Sequence, residues 1–357
     1  MGRLARALIV LLFLPAGRAA DWSSLDRYQR TIARPEFVSL LTNIYDTSGA
    51  LTGCLTFASN SVTICSTPPY TLSFASSTLI LPPSPFKRIA LDPGHIGGEW
   101  ARMEERFFVR GRERPVQEAA LNLTVARLLK QQLEAAGVTV VLTKNNFQPV
   151  TDKRPEDFRA QAEREVPASE DDANRADAVR KRQELLFYRT AEITARARLV
   201  NERLKPDLTI CLHFNAVEWN DCHDLVDDNR LVVFSHGDYL PGELADDDQK
   251  LQLFQKLLEG SHPVEWSVAE ALAASLARAT GLLPTVRPRN LAANRLYNGP
   301  VVYLEPYYMN NRTVYQRLQL GDYDGEKEVD GKPLKSIFRE YADAVMDGLR
   351  PYLVPQR

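Results

Sequence analysis

The sequence predicts an α/β fold in which a twisted, mostly parallel sheet is flanked by helices, with a small β-containing domain at the N-terminus. Two observations lead to this prediction. From Lys87 onward, short apolar runs alternate with segments in which apolar residues recur at helical spacing, as in βαβ units. Residues 21–85 are instead rich in Ser, Thr and β-branched residues, which favour strands.

Residues 1–20 are predicted to be an export signal. Arg3 and Arg6 precede the apolar run 8–14, and Ala19 and Ala20 offer a small-residue cleavage site. This run is far shorter than the roughly 20 residues that a membrane-spanning helix needs. We therefore expect an exported protein with no membrane span in its mature form, located in the periplasm, the cell envelope or the extracellular space.

Residues 21–85 are predicted to form the small N-terminal domain and a proline-rich linker. The strand-like stretches are 55–64 and 70–81, and the prolines that follow favour extended backbone. Tyr45, Tyr70 and Phe74 could form a stacking surface for sugars, but aromatic residues of a small β domain more often belong to its core.

Four cysteines are consistent with an oxidising compartment. Cys54 and Cys65 lie in one β-like stretch and Cys211 and Cys222 flank another, so two short disulfide loops are compatible with the sequence. A buried thiol is an equal alternative for Cys211. The sequence contains no CxxC motif, which argues against a zinc site made of cysteines.

Residues 86–357 are predicted to form the larger domain. Its predicted strands are 89–91, 138–142, 208–212, 231–235 and 301–304, and its predicted helices are 118–136, 183–204, 268–280 and 334–349. The first helix is predicted to stop at Gly137. A charge-dense insertion at about 152–183 is interpreted mainly as a solvated helical hairpin or a flexible loop.

Three residues capable of metal binding or proton transfer follow three predicted strands directly. His95 follows strand 89–91, His213 follows strand 208–212, and Glu305 follows strand 301–304. The carboxyl ends of strands in an open α/β sheet border the ligand crevice, so these side chains are expected to converge. Glu118, at the start of its helix, is a candidate to join them.

These residues occur in motifs that resemble those of the zinc-dependent N-acetylmuramoyl-L-alanine amidases, in the same order. The opening motif is Asp92-Pro93-Gly94-His95 with Gly97-Gly98; the later motifs are Glu118 with Leu121-Asn122-Leu123, Leu212-His213-Phe214-Asn215-Ala216, and Glu305 with Asn310-Asn311. The resemblance covers roughly residues 87–352 and depends on the four ordered motifs together. Ile96 departs from the family pattern, because it lengthens the loop between His95 and the glycine pair.

The resemblance implies that His95, Glu118 and His213 bind zinc and that Glu305 transfers the proton. Three protein ligands with an open position are typical of catalytic zinc. Asp92 either orients His95 through a hydrogen bond to this metal ligand or only shapes the Asp-Pro-Gly turn, and the role in the turn is slightly favoured. The implied substrate bond joins the lactyl group of N-acetylmuramic acid in peptidoglycan to the L-alanine of the stem peptide.

The resemblance also suggests two further roles. The insertion 152–183 could be a regulatory cover that an activator protein removes, since some relatives carry inserted helices that block the zinc site. The N-terminal domain is either a module that binds the cell wall or a partner, or a structural cap on the larger domain.

Two other function classes remain as alternatives: an exported zinc peptidase that cleaves peptide bonds, and a non-catalytic cell-wall-binding protein. A formal net charge of -2 argues against nucleic-acid binding. The sequence lacks an HExxH helix, a Gly-rich phosphate loop and a GxSxG elbow. His236, which ends a predicted strand, is a weak candidate for a further ligand, and metal sites at His262 or His223 are disfavoured.

Overall fold

The computed structural model describes residues 20–78, 85–167, 172–217 and 225–353, without the side chains of residues 172 and 173. The chain divides into two compact units, one formed by Met1–Leu81 with Gly237–Gly260 and the other by Pro82–His236 with Ser261–Arg357. Residues 1–19 of the predicted export signal, most of the predicted linker, Cys222 and His223 lie outside the described residues.

The described residues form thirteen strands and ten α-helices. The strands are β1 (Leu55–Phe57), β2 (Ser61–Ile64), β3 (Tyr70–Ser73), β4 (Arg88–Pro93), β5 (Phe107–Phe108), β6 (Val116–Gln117), β7 (Thr139–Leu142), β8 (Leu208–Leu212), β9 (Leu231–Ser235), β10 (Pro284–Pro288), β11 (Val301–Glu305), β12 (Glu326–Val329) and β13 (Lys332–Lys335). The α-helices are α1 (Arg34–Leu40), α2 (Glu118–Ala135), α3 (Arg159–Glu165), α4 (Asp172–Leu185), α5 (Glu192–Arg198), α6 (Asp247–Glu259), α7 (His262–Thr280), α8 (Ala292–Leu296), α9 (Arg312–Gln319) and α10 (Ile337–Leu349).

The first unit contains a three-stranded antiparallel sheet in the order β1-β2-β3. Its core combines N-terminal side chains such as Phe37 and Tyr45 with Phe254 of α6. From the sequence, residues 247–259 are expected in the larger domain, and no helix is predicted there. In the structure they form α6, and the apolar stripe of this helix is buried in the first unit. A disulfide joins Cys54 to Cys65.

The three aromatic residues considered as a sugar-binding surface are placed differently. Tyr45 and Phe74 are buried, at 0% and 8% exposure, and belong to the core of the first unit. Tyr70 is partly exposed, and its hydroxyl donates to Asp26 at 3.0 Å. Two of the three side chains are therefore core residues and present no stacking surface.

The second unit is built on a six-stranded mixed sheet in the order β10-β9-β11-β8-β4-β7. Strands β7, β4, β8 and β11 are parallel to one another, whereas β9 is antiparallel to β11 and β10 is parallel to β9. Helices α2, α7 and α10 contribute their apolar faces to the core of this unit. The predicted fold class, a mostly parallel sheet flanked by helices, is confirmed.

Several predicted elements differ from those in the structure. The last helix begins at Ile337 rather than near residue 334, because Lys332–Lys335 pair with β12 in an antiparallel hairpin. Strand β10 was not predicted; it begins and ends with proline and lies at the sheet edge, where a missing backbone N–H is tolerated. Helix α2 ends at Ala135, and Gly137 follows with a positive φ of 82°.

The charged insertion contains α3 and α4, which share a small apolar core of Ala162, Val179 and Leu186. Helix α4 continues through the π-helical turn Leu186–Ala191 into α5 and a second π-helical turn, Leu199–Leu204. In the first of these turns, Leu186–Ala191, Phe187 and Tyr188 pack against Ile96. Among the described residues, no helix has both the length and the apolar character needed to cross a membrane.

Candidate metal and catalytic site

The direction of the central strands brings the predicted site residues together. Strands β4, β8 and β11 are neighbours and parallel, so their carboxyl ends lie at one edge of the sheet. His95 follows β4, His213 follows β8, and Glu305 is the last residue of β11. Glu118 reaches the same place as the first residue of α2.

Three of these side chains form a compact cluster. The Nε2 atom of His95 lies 3.0 Å from Oε2 of Glu118, and Nδ1 of His213 lies 2.8 Å from Oε1 of Glu118. One donor atom from each residue lies within 4.8 Å of the others. Two imidazoles and a carboxylate at this spacing could hold a metal ion, and nitrogen and oxygen ligands suit zinc.

A pocket opens on this cluster. It is lined by His95, Arg106, Glu118, His213, Phe214, Asn215, Ala216, Tyr303, Glu305 and Met309. No described residue of the insertion 152–183 belongs to this lining. Glu305 therefore shares one pocket with the three clustered side chains, and the described part of the insertion does not cover them.

Two glycines allow the close approach of the backbone to this cluster. A Cβ atom at Gly94 would lie 1.9 Å from Cε1 of His213, so a side chain there would displace the imidazole. Gly97 has a positive φ of 81°, and a Cβ atom there would lie 2.5 Å from Cβ of Ala119 on α2. The absence of side chains at these positions lets the loop after β4 pack tightly beside α2 and β8.

His95 is held by its backbone as well as by its ring. Its φ of +64° lies in the left-handed region, which is uncommon for residues other than glycine. Nη2 of Arg196 donates to its carbonyl oxygen at 2.8 Å. Glu104 accepts from the next two backbone amides, those of Ile96 and Gly97, at 2.8 and 2.9 Å, and lies 3.6 Å from Nδ1 of His95.

Asp92 is buried and makes its hydrogen bonds away from the imidazoles. It accepts from Arg196 at 3.0 Å, from the hydroxyl of Tyr297 at 2.7 Å, and from Thr143. Burial raises the pKa of Asp92, but Arg196 and the two hydroxyls outweigh it and leave that pKa below its ordinary value. Its link to His95 therefore runs through the guanidinium of Arg196.

His213 is positioned by the sheet itself. Its backbone N–H donates to the carbonyl of Leu304 at 3.0 Å, so the residue is paired with β11. The ring of Tyr303 stacks on its imidazole with 4.2 Å between centroids and 16° between planes. Burial lowers the pKa of His213, which favours the neutral imidazole that metals bind.

Glu118 sits between the two imidazoles and carries a negative charge. Burial alone would raise its pKa, but His95 and His213 outweigh this effect and hold the pKa well below its ordinary value. Nε of Arg106 also lies 3.1 Å from Oε2 of Glu118. The carboxylate is thus available to a cation.

Glu305 has the opposite electrostatic character. Burial, reinforced by the charge of Glu118, raises its pKa from 4.5 to about 7, while Arg106 acts to lower it. The amide of Asn215 donates to its Oε2 atom at 2.6 Å. A carboxyl group with a pKa near neutrality can both accept and donate a proton under physiological conditions.

Several residues singled out in the sequence have other places. His236 follows β9, which is antiparallel to β11. It therefore lies at the opposite end of these strands from Glu305. His262 is buried at the start of α7 and does not line the pocket. Asn310 bonds the backbone of Val217, and Asn311 caps α9, so both shape the surrounding loops.

Some residues of the site were not predicted. Arg106 and Tyr303 line the pocket, and Glu104 and Arg196 hydrogen-bond to the backbone at and next to His95. Tyr303 alternates with Leu304 inside a predicted strand, which could have shown that the two side chains face opposite sides of the sheet. For the three charged residues the sequence contains no comparable signal.

Comparisons with known proteins identify the family. The family profile of N-acetylmuramoyl-L-alanine amidases, Amidase_3, matches residues 89–329. A search of curated proteins found no significant match.

Solved structures with similar folds include the CwlD amidase of Clostridioides difficile, determined in complex with the GerS lipoprotein, at 15% identity and a TM-score of 0.45; the match covers 74% of this chain and 98% of that one. The catalytic domain of CwlV from Paenibacillus polymyxa follows at 17% identity and 0.43, covering 74% and 97%. AmiC2 of Nostoc punctiforme follows at 16% and 0.40, covering 74% and 96%. Since the family profile spans more than half of the chain, this protein belongs to the N-acetylmuramoyl-L-alanine amidase family.

Proposed function

We propose that this protein is a zinc-dependent enzyme that hydrolyses the amide between the lactyl group of N-acetylmuramic acid and the L-alanine of the peptidoglycan stem peptide. The observation that carries the proposal is the convergence of His95, Glu118 and His213 in one pocket with Glu305. Family membership supplies the reaction class. Zinc and the individual roles of these residues are our assignments.

His95, Glu118 and His213 would hold the zinc ion. Their donor atoms match the imidazole and carboxylate ligands of catalytic zinc sites, which use three protein ligands and leave a position open. When bound, zinc supplies Lewis-acid chemistry, polarising the amide carbonyl and acidifying the attacking water. The substrate amide would enter the pocket beside the cluster.

Glu305 is assigned as the proton-transfer residue. As a carboxylate it takes the proton from the attacking water, and as the acid it returns that proton to the departing nitrogen, because an amine leaves poorly unless protonated. A pKa raised by burial to about 7 suits both steps. Asn215 fixes Oε2 by donating to it, and we assign the proton transfer to Oε1.

We also propose that the enzyme is exported and acts outside the cytoplasm. The cell wall is its expected substrate, and residues 1–20 have the pattern of an export signal. The Cys54–Cys65 disulfide fits an oxidising compartment such as the periplasm or the cell exterior. Cys211 is buried, and its pairing with Cys222 and its role as a buried thiol both stay predictions.

Mass spectrometry of digested peptidoglycan tests the reaction. Purified fragments are incubated with zinc-loaded enzyme, chelator-treated enzyme, chelator-treated enzyme with zinc restored, and Glu305→Ala. Free stem peptides with intact glycan, seen only in the two zinc-containing wild-type samples, are expected. Cleavage within the stem peptide would instead identify a peptidase, and the absence of products from every sample would contradict the proposed activity of the purified chain.

A regulatory role for the insertion 152–183 stays a separate proposal, with an activator protein as its partner. Its described residues do not line the pocket, but Phe158 packs against the apolar cluster that contains Ile96, so we propose that inhibition would act through the loop after β4. Deletion of residues 152–183 is expected to increase the rate of stem-peptide release if the insertion is inhibitory. An unchanged rate in the folded deletion variant would refute the role.

A further inference from the structure

The backbone of His95 requires an external restraint. A residue with a Cβ atom is disfavoured at positive φ, and His95 has a φ of +64°. Such conformations persist where surrounding contacts determine them, and they cluster at functional sites. The contacts on each side of this residue should therefore reveal what holds its imidazole in the metal cluster.

On the carbonyl side, Arg196 provides the restraint. Its guanidinium donates to the carbonyl oxygens of His95 at 2.8 Å and Pro93 at 3.1 Å. Asp92 and Glu192 each accept from the same guanidinium, at 3.0 and 2.8 Å, and fix its plane. With 4% of its side chain exposed, Arg196 has little freedom to adopt another position.

On the amide side, Glu104 provides the restraint. Its two carboxylate oxygens accept from the backbone N–H groups of Ile96 and Gly97, at distances between 2.8 and 3.0 Å. The same carboxylate lies 3.6 Å from Nδ1 of His95, while Nε2 faces Glu118 at 3.0 Å. Glu104 thus holds the chain after His95 and also faces the nitrogen of the ring that does not point at Glu118.

We propose that Glu104 and Arg196 are positioning residues for metal binding, which together keep His95 in its left-handed conformation with Nε2 directed into the cluster. This inference rests on the proposed metal site. The physical reason is pre-organisation: without the two restraints, the loop would relax to ordinary backbone angles and His95 would have to be reordered when metal binds. Partners behind a metal ligand commonly contribute about 10- to 100-fold in metal affinity.

The test measures zinc affinity by competition with a chromophoric chelator, together with the visible spectrum of the cobalt-loaded protein. Glu104→Gln keeps the size of the side chain but removes its charge, and Arg196→Lys keeps the charge but removes the planar fork. Each variant is expected to bind zinc about 10- to 100-fold more weakly and to change the cobalt spectrum. Combining them should not give the product of both losses, because they restrain one residue.

Arg317→Lys is the matched control. Arg317 is also buried and forms a forked pair with a carboxylate, Glu340, at 2.9 and 3.0 Å, but it lies outside the pocket. This variant is expected to lower the melting temperature while leaving zinc affinity and the cobalt spectrum unchanged. Equal zinc affinity in Glu104→Gln, Arg196→Lys and the wild type would overturn the inference.

Two milder variants keep the test decisive if folding fails. Glu104→Asp shortens the side chain by one methylene group, and Asp92→Asn weakens the contact that orients Arg196 without removing the guanidinium. Either folded protein should still bind zinc more weakly than the wild type. Wild-type affinity in both would overturn the inference. If the wild type itself bound no zinc, the proposed zinc-dependent function would fail instead, so the two outcomes are distinguishable.

Discussion

The two histidines of the site are held in place by different means. His213 follows a central strand directly, is hydrogen-bonded to β11 through its backbone N–H, and has its ring stacked on Tyr303. His95 lies in a loop with a left-handed backbone and depends on the buried charges of Glu104 and Arg196. A ligand held by a sheet needs little besides the sheet, whereas a ligand held by a loop needs partners from distant parts of the chain.

The largest expected effect is a loss of catalysis without a loss of zinc binding, in a variant of Glu305 at the end of the central strand β11. Glu305→Gln removes the proton-transfer group but none of the three proposed ligands, so stem-peptide release should fall by about 100- to 10,000-fold. Zinc affinity should stay that of the wild type, because β11 continues to hold the residue in place. A parallel loss of zinc affinity would mean that Glu305 is a ligand or supports one.

Gly94→Ala is expected to disturb both the ring of His213 and the loop that carries His95. The added methyl group would lie 1.9 Å from the His213 ring, so either the imidazole or the loop that carries His95 must move. Zinc affinity is expected to fall by about 100-fold or more, since a ligand itself is displaced rather than its support. Gly53→Ala is the control, because a Cβ atom there meets nothing within 4 Å.

Tyr303→Leu tests whether the sheet is enough to hold His213 in position without the stacked ring. The substitution removes the ring that stacks on His213 at 4.2 Å, and aromatic pairs of this kind contribute about 0.5–1.5 kcal/mol. Zinc affinity should therefore fall only about two- to tenfold, less than in the variants that release His95. Tyr303→Phe keeps the ring and should bind zinc normally; a larger loss in Tyr303→Leu than in Glu104→Gln would reverse the comparison.

The smallest effect concerns pH. Glu305 must be deprotonated to act as a base, so kcat/KM should fall as the pH drops through its pKa, which burial raises from 4.5 to about 7. A bound cation favours the carboxylate, so the midpoint is expected between those two values. Arg287 also lowers the pKa of Glu305, and Arg287→Ala should move the midpoint upward in a pH–rate profile; a downward shift would contradict this account.

The same contrast explains which parts of the site could be predicted from the sequence. Strand periodicity placed His213 and Glu305 at the ends of predicted strands, and parallel strands end at one edge of a sheet. His95 was placed in the same way after predicted strand 89–91, and Glu118 was a candidate because it begins a predicted helix and belongs to one of the motifs. The sheet class and the bounds of β8 and β9 were likewise predictable, because apolar strands of this length are distinctive.

The remaining features depend on contacts that no local pattern encodes. Arg196 lies 101 residues from His95 along the chain, and Glu104 belongs to a run of charged residues that resembles an exposed loop. The reversed direction of β9, which removes His236 from the site, is also invisible in strand periodicity. Periodicity reports which face of an element is buried but not the element against which it packs.

The discontinuous first unit has a consequence for shortened forms of the enzyme. A protein begun at residue 86 would lose the N-terminal segment but keep α6, whose side chains Leu253, Phe254 and Leu257 are fully buried in the core that this segment helps to form. Those side chains would then face water and favour aggregation. Removing residues 237–260 as well should reduce that aggregation, which light scattering of the two shortened proteins can measure. The N-terminal segment therefore cannot be removed alone without exposing the apolar side chains of α6.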